Sequence, residues 1–333
     1  MKVILVAKKN IINPYIELLI AALKENSPKN IEFIYYSPEV LTYLTKLDKE
    51  IVLHIHWPEI IYGKEIYNRG VKNRLLVFIR IFKFLNALRI LKKNKNARIM
   101  WTVHNYKSHE NLFPLLEEFL YSNLYRNTDY FIVHTEAGRN FLLHQGIPDK
   151  KIYIIPHGIY FPYYGQKQNK EEARKKIGID SEVKFFLNFG LVRSYKGLER
   201  LISVFNNLAP HQKIKLYIAE SVPDSEVAKF LSAADYFIMG HENFLSSGAA
   251  ILALSYDLPV IAPKEGDMPY IIQNNKNGFL YDRNIEGDLQ RIILEAANLS
   301  NEEKTSMQEN AIASVRNSSW DFVARETLKV YQN

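Results

Sequence analysis

Asn188-Phe-Gly-Leu-Val-Arg-Ser-Tyr-Lys-Gly197 is the stretch whose reading decides the fold. The run into it, Val183 to Phe189, is short and apolar, the pattern of a buried strand. Glycine then turns the chain, and Leu198, Leu201, Ile202 and Phe205 follow at helical spacing. A strand that feeds a helix through a glycine-containing loop leaves backbone N–H groups and the positive helix end facing a crevice. Arg193 and Lys196 stand in that loop, where a guanidinium fork and an ammonium both suit a diphosphate. Taken alone, the segment is also an ordinary strand–helix turn with two solvated cations. The sequence on either side reverses that balance.

Upstream, apolar runs alternate with amphipathic ones. Val3 to Ala7, Ile31 to Tyr36, Ile51 to His56, Ile99 to His104, Tyr130 to His134 and Ile152 to Pro156 read as strands. Tyr15 to Leu23, Arg74 to Leu91, Leu112 to Tyr125 and Ala137 to His144 show helical spacing between them. This alternation predicts a mostly parallel sheet with helices on both faces. A polar, Tyr-rich stretch from Tyr160 to Lys170 reads as an interdomain linker. Beyond it the pattern resumes, with strands at Val183 to Phe189, Ile214 to Ile218, Tyr236 to Met239, Val260 to Ala262 and Phe279 to Tyr281. Helices are expected at Leu198 to Phe205, Ser225 to Ala233, Ser247 to Leu254, Met268 to Ile272, Gly287 to Leu299 and Glu302 to Val315, and Trp320 to Tyr331 closes the chain. The expected fold class is α/β, two Rossmann-like domains facing across a central cleft.

Composition agrees with two soluble domains. The 333 residues are 47% hydrophobic and 24% charged, which is globular rather than disordered. With no cysteine there are no disulfides, thiolate metal sites or Cys nucleophile, and a reducing cytoplasm is the expected compartment. The apolar run after Met1 is too short for a signal peptide, and no uncharged apolar stretch reaches about 18 residues, the length a span requires. A net charge of +7 suits nucleic acid, an anionic membrane or a phosphorylated ligand. Nucleic acid is disfavoured, because the basic residues are not interleaved with aromatics in a recognised module.

In parallel sheets ligands bind beyond the strand C-terminal ends, so strand termini matter most. The third strand ends in His54-Ile-His-Trp-Pro-Glu59, with His54 and His56 on one face by period-2 alternation. The fourth delivers His104, Asn105 and His109, the fifth His134-Thr-Glu136, and the sixth Pro156-His-Gly158. Four such ends point to a polar site. A zinc site is the rival explanation, but no HExxH or comparable spacing supports it. The first strand end has no GxGxxG, which counts against a dinucleotide there. Val71 to Lys95 combines a broad apolar surface with a basic stripe of Arg80 and Lys83, then Lys92, Lys93 and Lys95. It reads as a crossover helix packed on the sheet, or as a helix that meets anionic lipid along one edge. In the second half, Ser246-Ser-Gly-Ala249 opens a helix and is a second candidate anion site, unless the serines only cap it.

With these residues in view, the chain resembles the two-Rossmann-domain glycosyltransferases called GT-B. It is most similar to the family 4-like group and to bacterial exopolysaccharide mannosyltransferases. The resemblance rests on Gly190-Leu-Val-Arg-Ser-Tyr-Lys-Gly197, Ala234-Asp235, Ser247-Gly-Ala-Ala-Ile-Leu-Ala-Leu-Ser-Tyr-Asp-Leu-Pro-Val-Ile-Ala262 and the terminal Trp320-Asp-Phe-Val-Ala. It implies an acceptor-binding domain over 1–160, a nucleotide-sugar domain over 161–318, and a helix over 319–333 that crosses back to the first domain. It also implies Gly190, Arg193, Lys196, Glu242, Ser246, Ser247, Gly248 and Ala249 on the donor. Trp57, Asn105 and His109 fall to the acceptor, and His56, Glu59 and His104 to the catalytic side. No metal and no cofactor is expected, the nucleotide-sugar being a co-substrate.

One departure stands out. Retaining members of family 4 carry two glutamates eight residues apart, and Phe244 and Leu252 occupy those positions here. Glu242 replaces the first only with a shift in the loop. The resemblance thus implies transfer of a hexose, from GDP-mannose or a UDP-sugar, to a glycan or lipid-linked acceptor in bacterial surface polysaccharide synthesis, at the inner membrane face. The alternatives are a sugar-nucleotide epimerase of the same fold and a non-catalytic partner of another transferase.

Overall fold

The computed structural model describes residues 1–7, 13–27, 30–40, 50–67, 70–107, 113–161, 163–190, 196–208, 213–220, 222–242 and 244–333. The chain divides into two compact units, Met1–Pro156 with Trp320–Asn333, and His157–Ser319.

The first unit carries a sheet of six strands: β1 (Lys2–Val6), β2 (Glu32–Tyr35), β3 (Ile51–Ile55), β4 (Ala97–Thr102), β5 (Tyr130–Val133) and β6 (Ile152–Ile154). Their spatial order is β2-β1-β3-β4-β5-β6, and every pairing is parallel. Residues Ile51 to Ile55 are all buried, so β3 shows no in–out alternation. That is what a strand covered on both faces requires. Successive side chains of β4 show the two coverings. Met100 joins the cluster made with Leu19 of the helix Tyr15–Asn26 and with Val323 and Leu328 of the helix Trp320–Gln332. Trp101 turns the other way, edge-on to Tyr121 of the helix Pro114–Asn127 with ring centroids 5.3 Å apart. Trp101 is 1% exposed, and truncating such a ring to alanine costs about 3–5 kcal/mol.

The second unit has five parallel strands: β7 (Lys184–Phe189), β8 (Ile214–Ala219), β9 (Tyr236–Ile238), β10 (Val260–Pro263) and β11 (Gly278–Tyr281), in the order β11-β10-β9-β7-β8. On one face Phe186, Tyr236 and Phe279 pack with Leu201 and Phe205 of the helix Leu198–Leu208 and with Ile292 and Ile293 of the helix Asp288–Ala297. On the other, Tyr217 stacks on Phe230 of the helix Asp224–Ala233.

The strand and helix positions expected from the sequence recur here, shifted by a few residues at most. Among the described residues, the helix Lys170–Ile177, adjoining the stretch read as a linker, was not expected. Asn169 caps it by accepting from the backbone of Glu171 and Glu172, and Gly178 ends it in the left-handed conformation. Its sequence, KEEARKKI, holds only two apolar side chains, so no hydrophobic period betrays it. What holds it is charge. Arg174 and Lys170 reach the buried carboxylate of Asp235 at 2.5 and 2.8 Å, and Lys304 reaches it at 3.1 Å. Burial alone would raise the Asp235 pKa. The charge and hydrogen bond of Lys170, the Phe185 N–H and Lys304 overcome it and hold the carboxyl well below its usual range. The Tyr-rich stretch is likewise packed rather than free: Tyr160 and Tyr164 are buried, and Tyr256 Oη donates to Gly165 O at 2.7 Å.

Candidate functional site

Both sheets carry their unusual polar groups at the strand C-terminal ends. In the first unit these are imidazoles. His54 lies in β3 and His56 just past it, and their rings sit 4.1 Å apart, on one face as the alternation required. His104 follows β4 and His134 follows β5. The His134 Nδ1–H donates to the carbonyl of Ile155 at 2.9 Å. A carbonyl only accepts, so a neutral His134 presents Nε2 as an acceptor. His104 Nδ1 faces it at 3.3 Å, and His104 Nε2 faces His56 Nδ1 at 3.2 Å. The chain of bonds therefore assigns each ring a tautomer. With His104 neutral, His56 donates through Nδ1, and its Nε2 lone pair is left buried without a hydrogen-bond partner.

Burial keeps His54, His56 and His134 neutral. It pushes His134 down to about 4, and it pushes His56 well below its ordinary value, helped by the charges of His54, His104 and His134. His54 is brought down to about 3 by the same desolvation. It is held by Thr102 Oγ1 at 2.7 Å and Tyr331 Oη at 2.8 Å. Tyr15, at the start of its helix, sets its ring edge-on to His56, His104 and His134 at 5.8, 5.0 and 6.1 Å. Trp57 stacks on His104 at 5.1 Å. Sequence reading missed Thr102, Tyr15 and Tyr331. Thr102 ends a strand already under inspection and was within reach of that search, whereas Tyr331 lies 277 positions from its partner.

Not every expected neighbour joins this group. Glu59 lies on the 3-10 stretch Pro58–Tyr67, half-buried, and its charge bears on Tyr62 and Tyr121. His56 is 1% exposed, so it presents no nitrogen outward. Asn105 is half-buried next to His104. His157, read from sequence with the other strand ends, belongs to the second unit. There it donates from Nδ1 to Gly158 O at 2.8 Å and lies beside Tyr160 and Gly248. Arg80 leaves the expected basic stripe: its guanidinium donates to Tyr62 O at 2.6 Å. His109 and Arg193 lie outside the described residues.

The second unit's strand ends are built of glycine, lysine and paired charges. Asn188, in β7, donates to Ile238 O at 2.7 Å, and its Oδ1 is buried with no hydrogen-bond partner. Lys196 is buried and donates from Nζ to Phe189 O at 3.2 Å, so close to Gly190 that a Cβ there would meet the ammonium at 2.8 Å. Gly197, with φ +57°, brings its backbone onto Gly240, where its Cβ would stand 2.1 Å from the carbonyl oxygen. Only glycine permits that approach. Ser247 precedes the helix Gly248–Ser255 in an extended conformation, and its side chain makes no cap bond, so it does not serve as the cap that was one reading of it. Ala249 lies in the first turn, and Ser246 and Ser247 flank the backbone N–H groups there. Glu242 is not free to replace a missing glutamate. Arg283 binds it at 3.1 Å and also binds Glu265 at 2.6 Å. Phe244 and Leu252, where the family's glutamates would stand, are buried at 2% and 4% exposure.

The two all-parallel sheets belong to a known architecture. The whole chain superposes on Anabaena HepE, solved in complex with UDP and glucose, with a TM-score of 0.68 at 12% identity, covering 100% of this chain and 99% of that one. The fold is that of the GT-B glycosyltransferases. Residues 76–160 match Glycosyltransferase Family 4. Among curated proteins the chain is 20% identical over 243 residues to the D-inositol 3-phosphate glycosyltransferase of Corynebacterium kroppenstedtii, covering 62% of this chain and 54% of that protein. It is 24% identical over 213 residues to the alpha-monoglucosyldiacylglycerol synthase of Streptococcus pneumoniae, covering 55% and 48%. The chain spans about half the length of these curated relatives. These similarities reach the GT-B fold and Glycosyltransferase Family 4 and go no finer, so they do not extend to the exopolysaccharide mannosyltransferases.

Proposed function

We propose that this GT-B chain transfers a hexose from a nucleotide-sugar, GDP-mannose or a UDP-sugar, to a glycan or lipid-linked acceptor of bacterial surface polysaccharide synthesis. The observation that carries the reading is the second unit's loop. Lys196 is held against Gly190, the Gly197–Gly240 backbone contact fixes the turn, and Ser247 and Gly248 open a helix at the same sheet edge. An ammonium, small residues and a helix N-terminus are what a diphosphate requires. HepE's complex with UDP and glucose supports a UDP-sugar donor.

In this reading Lys196, Arg193 and the helix end stabilise the departing diphosphate, and no metal ion is needed for that charge. Within the imidazole chain the lone pair without a hydrogen-bond partner is His56 Nε2, so His56 accepts the proton of the acceptor hydroxyl once acceptor binding uncovers that ring. His104 and His134 act through it by fixing its tautomer and orientation. A glycan or lipid-linked hydroxyl then meets a site of neutral imidazoles flanked by Trp57 and Asn105.

The first test is thermal stability of the full chain with UDP, GDP, ADP and their sugar conjugates, beside Lys196→Ala. A nucleotide at about 100 times its dissociation constant stabilises by roughly 2.7 kcal/mol. One nucleotide stabilising the native chain alone, with sugar transfer that survives a chelator, supports the reading. Stabilisation by none removes it. A second reading, a non-catalytic partner of another transferase, is favoured by the apolar Phe244 and Leu252 positions. Nucleotide binding without transfer or donor hydrolysis would select it.

A further inference from the structure

The helix Val71–Leu91 is apolar on two sides. Val77, Ile81, Phe84, Leu85, Leu88 and Leu91 are buried and account for its packing on the first unit. Leu75, Phe78, Ile79 and Phe82, spaced i, i+3, i+4, i+7, form a second stripe that is 58%, 44%, 38% and 54% exposed. Phe78 and Phe82 stack one turn apart, with ring centroids at 6.5 Å. On the helix Pro114–Asn127 that packs beside it, Leu115 and Phe119 are exposed too, at 81% and 42%. Scattered exposed leucines need no explanation, but a contiguous stripe with stacked rings does.

Charge selects the occupant. The 21-residue helix contains five cations, Lys72, Arg74, Arg80, Lys83 and Arg89, and no carboxylate. Arg80 points back to Tyr62 O, whereas Lys72, Arg74, Lys83 and Arg89 are exposed, and Lys93 follows. By helical geometry Lys72 and Lys83 border one side of the stripe, Arg74 borders the other, and Arg89, seven residues on from Phe82, stands in line with it at its C-terminal end. A second copy docked through this face would set cations against cations. A bilayer with anionic headgroups accepts the phenyl rings at the acyl boundary and pairs the flanking cations with phosphate. We infer that the outward face of Val71–Leu91 seats the first unit on an anionic membrane surface, with Phe78 and Phe82 inserted and Lys72, Lys83 and Arg89 on the headgroups. No helix among the described residues is long and apolar enough to cross a membrane, so the contact lies in the interface plane.

This inference needs no nucleotide and no transfer, so its failure is separable from that of the proposed activity. The test is flotation of the full chain with vesicles of phosphatidylcholine alone and with 3:1 phosphatidylcholine–phosphatidylglycerol. Binding to the second only, falling with salt, is the expected result. Phe78→Ser with Phe82→Ser should lower binding more than tenfold, and Lys83→Gln with Arg89→Gln by roughly 25-fold, about fivefold per charge. Because the chain has no cysteine, Phe82→Cys accepts one environment-sensitive fluorophore, and its emission should shift blue with the anionic vesicles. A label at Glu302→Cys in the second unit should not shift. Equal binding to both vesicles, no binding, or no shift at position 82 overturns the proposal. So do stripe variants that turn a dimer into a monomer without altering flotation.

Discussion

The two sheets end in opposite chemistries. At the first unit's edge, buried neutral imidazoles are fixed by hydrogen bonds to one another and to Ile155 O, Thr102 and Tyr331. At the second unit's edge, cations, paired charges and glycines stand out, namely Lys196, Arg283 with its two glutamates, and glycines in backbone contact, beside the neutral Asn188 and Ser247. One edge orients lone pairs and N–H groups in a low dielectric. The other admits backbone and cation close to an anion. Under the proposed function the same parallel-sheet geometry would serve a neutral hydroxyl in one unit and a charged phosphate in the other, and the two edges should fail in different ways.

The largest difference should appear with acid. In the folded chain His134 and His54 take up protons only near about 4 and 3, whereas the unfolded chain does so near its ordinary value of 6.5. Between those values the unfolded state binds more protons, so stability is complete above pH 6.5 and is lost as pH falls. The slope is about 1.4 kcal/mol per pH unit per histidine, or roughly 5 kcal/mol for the pair between pH 6.5 and 4.5. Denaturant titrations across this range should show it, and His54→Gln with His134→Gln should flatten the curve. An unchanged slope would mean that the rings are not held neutral.

Next in size, Gly197→Ala should strike only the second edge. Its positive φ and the overlap with Gly240 O make the cost about 3 kcal/mol, and nucleotide stabilisation should vanish with it. Lys196→Ala should leave the fold intact and weaken nucleotide binding by about ten- to a hundredfold, read by titration calorimetry. Smallest, Tyr331→Phe should strike only the first edge. It leaves His54 Nδ1 without its 2.8 Å partner and should cost about 1 kcal/mol or slightly more of unfolding free energy, with nucleotide affinity unchanged. If Tyr331→Phe altered nucleotide affinity, the separation of the two edges would not hold.

Much of this was legible in advance. Strands such as Ile51–Ile55 and Lys184–Phe189 announce themselves because a strand buried on both faces must be apolar at nearly every position. The histidines were found by the rule that polar groups past strand ends face the site. Other features were not legible. His157 follows a strand of the first unit yet packs in the second, which no local pattern reveals. Arg80 looked like part of a basic face until its turn placed it over Tyr62 O. The helix Lys170–Ile177 has capping signals but too few apolar residues to show a period, because an ion-pair cluster rather than a hydrophobic face holds it.

By itself, then, the sequence determined the alternation of strands and helices, the parallel sheets and the strand ends where polar groups collect. These follow from local periodicity and from the demand that each sheet be covered on both faces. Tertiary structure alone decided the partners. It brought Tyr331 to His54, linked three imidazoles into one chain of fixed tautomers, set Gly197 against Gly240 and committed Glu242 to Arg283. Hydrogen bonds and ion pairs reach only about 3–4 Å, and which residues come that close is a property of packing, not of spacing along the chain.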